Sequence, residues 1–126
     1  MKKILLVVLM ISLIISACSK KNDEKGPLLI RLDNQTGFQI EQVLVNTDEN
    51  PHTFGTIKKG DKSEYKEFLS AYRYGYISLN INEVEYIQQP IDYVGEPKLD
   101  PGKHTYKLEL LDLNGRLSLR STYQKD

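Results

Sequence analysis

The chain has 126 residues, with 17 basic and 17 acidic side chains, two histidines and a single cysteine. A near-neutral balance without a basic run argues against nucleic-acid binding, which rests on neutralising phosphates. One cysteine excludes an internal disulfide and, with no further ligands beside it, a structural zinc site.

Met1-Lys2-Lys3 is a basic start, and Ile4 to Ile15 follows with one serine in an otherwise apolar run. That pattern is the n-region and h-region of an export signal. A run of about a dozen residues is too short for a hydrocarbon core that takes ~20 helical residues to cross. Ile15-Ser16-Ala17-Cys18 closes the run and resembles the lipobox of bacterial lipoproteins, in which an aliphatic and two small residues precede an invariant cysteine. The resemblance implies transfer of a diacylglyceryl group to the Cys18 thiol, cleavage between Ala17 and Cys18, and often acylation of the new amino terminus. Residues 1–17 are then a signal peptide, and Cys18 is a membrane anchor whose covalent lipid stands in place of any cofactor. Two or more acyl chains hold stably where one holds marginally.

Ser19 to Gly26 contains no apolar residue and is dense in charge, so residues 18–26 read as the lipidated cysteine and a flexible linker. Lys20, Lys21, Asp23 and Glu24 resemble the lysine-plus-acid export signals of surface lipoproteins of the Bacteroidetes, and a generic solvated spacer is the alternative. Ser19 rather than Asp follows the cysteine, which in Gram-negative sorting implies the outer membrane. The expected location is the cell envelope, as an outer-membrane lipoprotein that is periplasmic or surface-exposed.

Residues 27–126 leave one domain, large enough for a single core. Leu28, Ile30 and Leu32 alternate with Leu29, Arg31 and Asp33 as a strand, ended by Asn34-Gln35-Thr36-Gly37. Phe38 and Ile40 start a second strand, which Val43 and Val45 continue in the opposite phase, so a bulge is expected near Glu41-Gln42. Thr53 to Ile57 reads as a short strand and Lys58 to Lys62 as a turn. Ser63 to Tyr72 fits a strand or a helix face, with the strand preferred. Ile77, Leu79 and Ile81, then Val84 and Tyr86, form a hairpin across Asn82-Glu83, and Pro90 confines the continuation to an edge or a crossing. Tyr106, Leu108 and Leu110 lead through Asp112-Leu113-Asn114-Gly115 to Leu117 and Leu119, a second hairpin. Six to eight short strands with no long helix predict an all-β, antiparallel sandwich.

Leu99-Asp100-Pro101-Gly102-Lys103-His104-Thr105-Tyr106-Lys107-Leu108 resembles the turn-into-strand element of transthyretin-like and immunoglobulin-like extracellular modules, with His104 where many of them have an aromatic. With Val43 to Asn46, Phe54-Gly55 and Ser63 to Tyr65, the wider pattern looks like small β-sandwich lipoproteins of the Bacteroidetes. That resemblance implies a fold and a location and no activity.

His52 and His104 lie in separate segments near loops without close-spaced partners, so both are expected to be exposed and neither to serve as base or ligand. No G-x-S-x-G, H-E-x-x-H or phosphate-cradling glycine motif occurs, and Asp112 to Gly115 lacks the later ligands of a calcium loop. Catalysis and metal binding are not expected. Tyr72, Tyr74 and Tyr76 recur with period two and are the candidate binding surface, since exposed rings give contact area at low entropy cost. The alternative is that they pair across strands or lie under the segment Ile87 to Leu99. The expected function is a non-enzymatic binding module for an envelope protein or glycan. The competitors are a structural accessory subunit of an envelope complex and an inhibitor of a hydrolase, the last predicting a rigid protruding loop at Thr47 to His52.

Overall fold

The computed structural model describes residues 26–48, 50–90 and 92–126. The expected signal peptide, the expected lipobox with Ala17 and Cys18, and the expected linker as far as Lys25 lie outside the described residues. Eight strands succeed one another in chain order: β1 (Leu28–Asn34), β2 (Ile40–Asn46), β3 (His52–Ile57), β4 (Lys66–Phe68), β5 (Tyr76–Ile81), β6 (Val84–Gln88), β7 (Gly102–Leu113) and β8 (Arg116–Lys125). They form two four-stranded sheets, ordered β4-β1-β7-β8 and β3-β2-β5-β6. The all-β sandwich predicted from the period-two pattern is the fold. One pairing departs from antiparallel: β1 runs parallel to β7, from Leu28 beside Gly102 to Asn34 beside Leu108.

The alternating apolar positions explain the two layers. Ile30 and Leu32 of β1, Val43 and Val45 of β2, Ile77 and Leu79 of β5, and Tyr106 and Leu108 of β7 are all buried in one core. Each such aliphatic side chain taken out of water contributes about 1.5–3 kcal/mol. The expected bulge lies in β2, where the register shifts between Ile40 and Val43 against β3 and between Glu41 and Leu44 against β5. Gln42 takes a left-handed φ of 49° there, which lets Ile40 and Val43 both face inward despite their odd spacing.

Two expectations are corrected. Phe38 does not start β2; it is 44% exposed in the turn before Ile40. Asn34 causes this, because its buried side-chain amide bonds the Phe38 carbonyl at 2.7 Å and closes the turn upon itself. In Ser63 to Tyr72 only Lys66–Phe68 is strand, and Leu69, which the helical alternative places on one face with Phe68, is 80% exposed while Phe68 is buried. The Ser63 N–H donates to the Leu32 carbonyl, and its hydroxyl takes the Leu32 N–H at 2.9 Å, so this segment borders β1 rather than coiling.

The registers give the sandwich two unlike ends. At one end lie the turn after β1, the Lys59-Gly60 turn, and the β5–β6 and β7–β8 hairpin turns. At the other, the loop end, Gly26 and Pro27 enter β1 and the connections β2–β3, β4–β5 and β6–β7 come together.

Candidate functional site

The loop end is held by bonds between its connections. Thr47 Oγ1 donates to the Ser70 carbonyl at 3.0 Å, the Leu69 N–H to Asp48 Oδ2 at 3.1 Å, and the Leu99 N–H to the Ala71 carbonyl at 2.8 Å. The Tyr106 hydroxyl, rising from the core, donates to the Tyr72 carbonyl. Gly75 is buried against Thr47, where a Cβ would collide with the threonine methyl. Burial would raise the Asp48 carboxyl, but the N–H groups of Asn50 and Leu69 and the nearby His52 hold it below its ordinary value. The β2–β3 connection is therefore clamped at Thr47 and Asp48.

The three predicted tyrosines do not form one stripe. Tyr76 alone is on a strand, on the outer face of β5 with Ser78 and Asn80. Tyr72 and Tyr74 precede the strand and stack on Tyr93 of the β6–β7 connection, with ring centroids 4.2 and 5.4 Å apart. The Tyr74 hydroxyl donates to the Asp92 carbonyl at 3.0 Å. Arg73 is exposed, because the inward parity of β5 starts only after Gly75. The alternative in which the tyrosines lie under Ile87 to Leu99 thus holds for Tyr72 and Tyr74, although Tyr93 itself was not singled out because its segment has no periodicity to place it.

Beside the tyrosine stack opens a pocket of about 310 Å³, lined by Arg73, Lys98, Asp100, His104, Tyr123 and Lys125 among others. His104 is not exposed as expected; it is 1% exposed and forms part of this wall. It shares the inward parity of Tyr106 and Leu108, so strand alternation itself held the signal. Its Nε2 is 2.7 Å from the Asp100 carbonyl oxygen, which can only accept, so Nε2 donates. Nδ1, 2.9 Å from the Tyr123 hydroxyl, is then the acceptor. Burial pushes the Tyr123 phenol up, against the pull of Arg73 over its ring, which keeps that hydroxyl a donor. Nε2 thus holds the β6–β7 connection to β7 through Asp100, while Nδ1 ties β7 to β8 through Tyr123. His52 also departs from expectation: it stacks on Phe68 at 3.7 Å, with Nε2 3.5 Å from Asp48 Oδ2 in poor alignment for a hydrogen bond. No group of three potential metal ligands occurs among the described residues.

On the outer face of the first sheet, the Asp126 carboxylate accepts from the Tyr65 hydroxyl at 2.6 Å and from Thr105 Oγ1 at 2.7 Å. Arg31 Nε donates to Thr105 Oγ1 at 3.0 Å. Burial opposes the charge of Asp126, but these hydroxyls and Arg31 hold its carboxyl below the ordinary value. The knot fastens the last strand beside the start of β7.

The opposite end carries a different feature. β1 stops beside Leu108, whereas β7 and β8 stay paired out to Leu113 and Arg116. The hairpin thus runs five residues past its neighbour, or about 17 Å. Every residue from Asp112 to Leu117 is exposed, including Leu113 at 58% and Leu117 at 44%. Asn114 and Gly115 both take left-handed φ angles, 57° and 86°, as a two-residue turn matched to strand twist demands. Only the turn was expected from sequence; the projection depends on where β1 ends.

No known protein family matches this sequence, and no curated protein does. The fold is similar to the NMR structure of a protein from Eubacterium rectale, with a TM-score of 0.57 and 20% identity, covering 81% of this chain and 94% of that one. At that identity the likeness bears on the fold alone.

Proposed function

We propose that this chain is a lipid-anchored lipoprotein of the cell envelope that serves as a non-enzymatic binding module for a protein or glycan. The lipobox at Ile15 to Cys18 supports the anchor and the outer-membrane location, periplasmic or surface-exposed. The observation that carries the binding role is the β7–β8 hairpin, which presents Leu113 and Leu117 beyond the body of the sandwich. Apolar side chains on a free hairpin offer a partner burial that the chain itself does not use, and they favour a protein over a glycan. Arg116 and Arg120 on the unpaired edge of β8 discourage strand addition between copies of the chain, which leaves the side chains as the contact.

The test is a photo-crosslinking residue at position 113 in the full chain on whole cells, with position 107, on the outer face of β7, as control. A discrete adduct from 113 and none from 107 is expected. The same adducts from both, or none from either, would overturn the hairpin as the contact. Protease accessibility of the tagged chain on intact cells then separates the surface-exposed form from the periplasmic one.

A further inference from the structure

Among the exposed large hydrophobic residues, the two with the greatest exposure are Val94 at 89% and Leu69 at 80%. Single exposed apolar residues are ordinary. Here both belong to connections of the loop end: Val94 follows Tyr93 of the tyrosine stack, and Leu69 lies beside Asp48 in the connection that leads to Tyr72 and Tyr74. The same end receives the chain from its N-terminal side, where the Gly102 N–H donates to the Pro27 carbonyl at 3.0 Å.

We propose that the loop end rests on the bilayer that holds the Cys18 lipid, with Val94 and Leu69 entering the headgroup layer and the stacked tyrosines lying at its level. The inference rests on the anchor reading above. Its occupant is fixed by chain length: Cys18 to Gly26 is nine residues, which span no more than about 30 Å whatever their course. The hairpin tip is a further ~40 Å away along the twelve residues of β7, so the tether keeps the loop end near the membrane and lets the tip point outward. Tyrosine suits the interface because its ring is apolar and its hydroxyl wet.

Charge contributes little to this contact. Arg73, Lys98, Lys103 and Lys125 are offset at this end by Asp48, Asp92, Glu96, Asp100 and Asp126. Attraction to anionic lipid is therefore small, and the contact relies on apolar insertion aided by an effective concentration on the order of mM set by the short tether. It should persist in salt that screens surface charge.

The experiment uses the lipidated full chain in neutral phospholipid vesicles whose acyl chains are brominated, so that a fluorophore is quenched only on entering the lipid. Lipidation consumes the Cys18 thiol, so an introduced cysteine is labelled alone. A label on Val94→Cys should be quenched at least about twofold, unchanged in about 0.5 M salt, while one on Asn114→Cys at the hairpin tip should not be quenched. Adding Leu69→Asp to the Val94→Cys chain should weaken the quenching severalfold. Equal or absent quenching at the two positions in chains that still float with the vesicles overturns the docking and leaves the anchor intact. Chains that fail to float remove the anchor, and the docking with it.

Discussion

The two ends of this sandwich solve the same problem by different means. At the turn end the chain reverses within a few residues, using left-handed positions at Asn82, Glu83, Asn114 and Gly115 and one fully buried side chain, Asn34. At the loop end three longer connections are tied to one another and to the core by the hydroxyls of Thr47, Tyr74 and Tyr106 and by His104. The contrast separates structure from availability. The turn end is compact enough to free a hairpin from the sheet, and the loop end ties its connections together internally while leaving two aliphatic side chains in solvent.

The largest expected effect tests whether Asn34 is the keystone of the turn end. Its Nδ2 donates to the carbonyls of Phe38, Ile57 and Lys58, at 2.7, 3.0 and 3.1 Å, and its Oδ1 accepts from the N–H and hydroxyl of Thr36. Asn34→Ala strands several of these groups at once and should cost roughly 3 kcal/mol in urea unfolding. A loss below about 1 kcal/mol would mean that water replaces the amide and that the turn end is no more centralised than the other.

Tyr106→Phe is the matching change at the loop end. It removes one donor from the Tyr72 carbonyl and keeps the ring in the core, so a loss of about 1–2 kcal/mol is expected. Amide exchange should accelerate from Ala71 to Gly75 while β7 stays protected. Uniform acceleration across both sheets would show instead that the loop end is as integral to the fold as the core.

These two residues also mark how much was legible in advance. Sheet alternation, both hairpins, the β2 bulge and the sandwich all come from period two and turn chemistry, which are local. The burial of His104 came from the same parity, but its imidazole suggested a surface group more strongly than its position suggested the core. Tyr93 and Leu69 were illegible for another reason: they occupy connections where no period exists, and the neighbours that place them are 19 to 21 residues away in the chain. The Tyr72 and Tyr74 pair was visible as a pattern but assigned to a strand that begins only at Tyr76. Long-range side-chain to backbone bonds shape the loop end, and a single sequence does not display them.

A smaller effect is expected in acid, and it sharpens the contrast by acting on one end. Asp48 and Asp126, both at the loop end, are held below their ordinary value of 3.8 in the folded chain. A carboxyl with a depressed folded value binds fewer protons folded than unfolded, so its contribution is complete above pH ~4 and is lost as pH falls through the folded value. Exchange near Leu69 and Lys103 should therefore rise below pH ~4 before that near Asn34 does. Simultaneous loss at both ends would break the distinction. Asp48→Asn should flatten the acid response near Leu69 alone.

The smallest effect on stability carries the largest functional consequence. Leu113 is 58% exposed beyond the end of β1, so Leu113→Ser should change stability by no more than about 0.5 kcal/mol. If the hairpin is the partner contact, the same change should abolish the adduct read from a crosslinker at position 117. Val94→Ser, equally harmless to the fold, should leave that adduct unchanged because it acts at the opposite end. Loss of the adduct in both variants would mean that orientation on the membrane governs partner contact, which joins the two ends into one device. Loss in Leu113→Ser alone would keep them separate, with the membrane served by the loops and the partner by the hairpin.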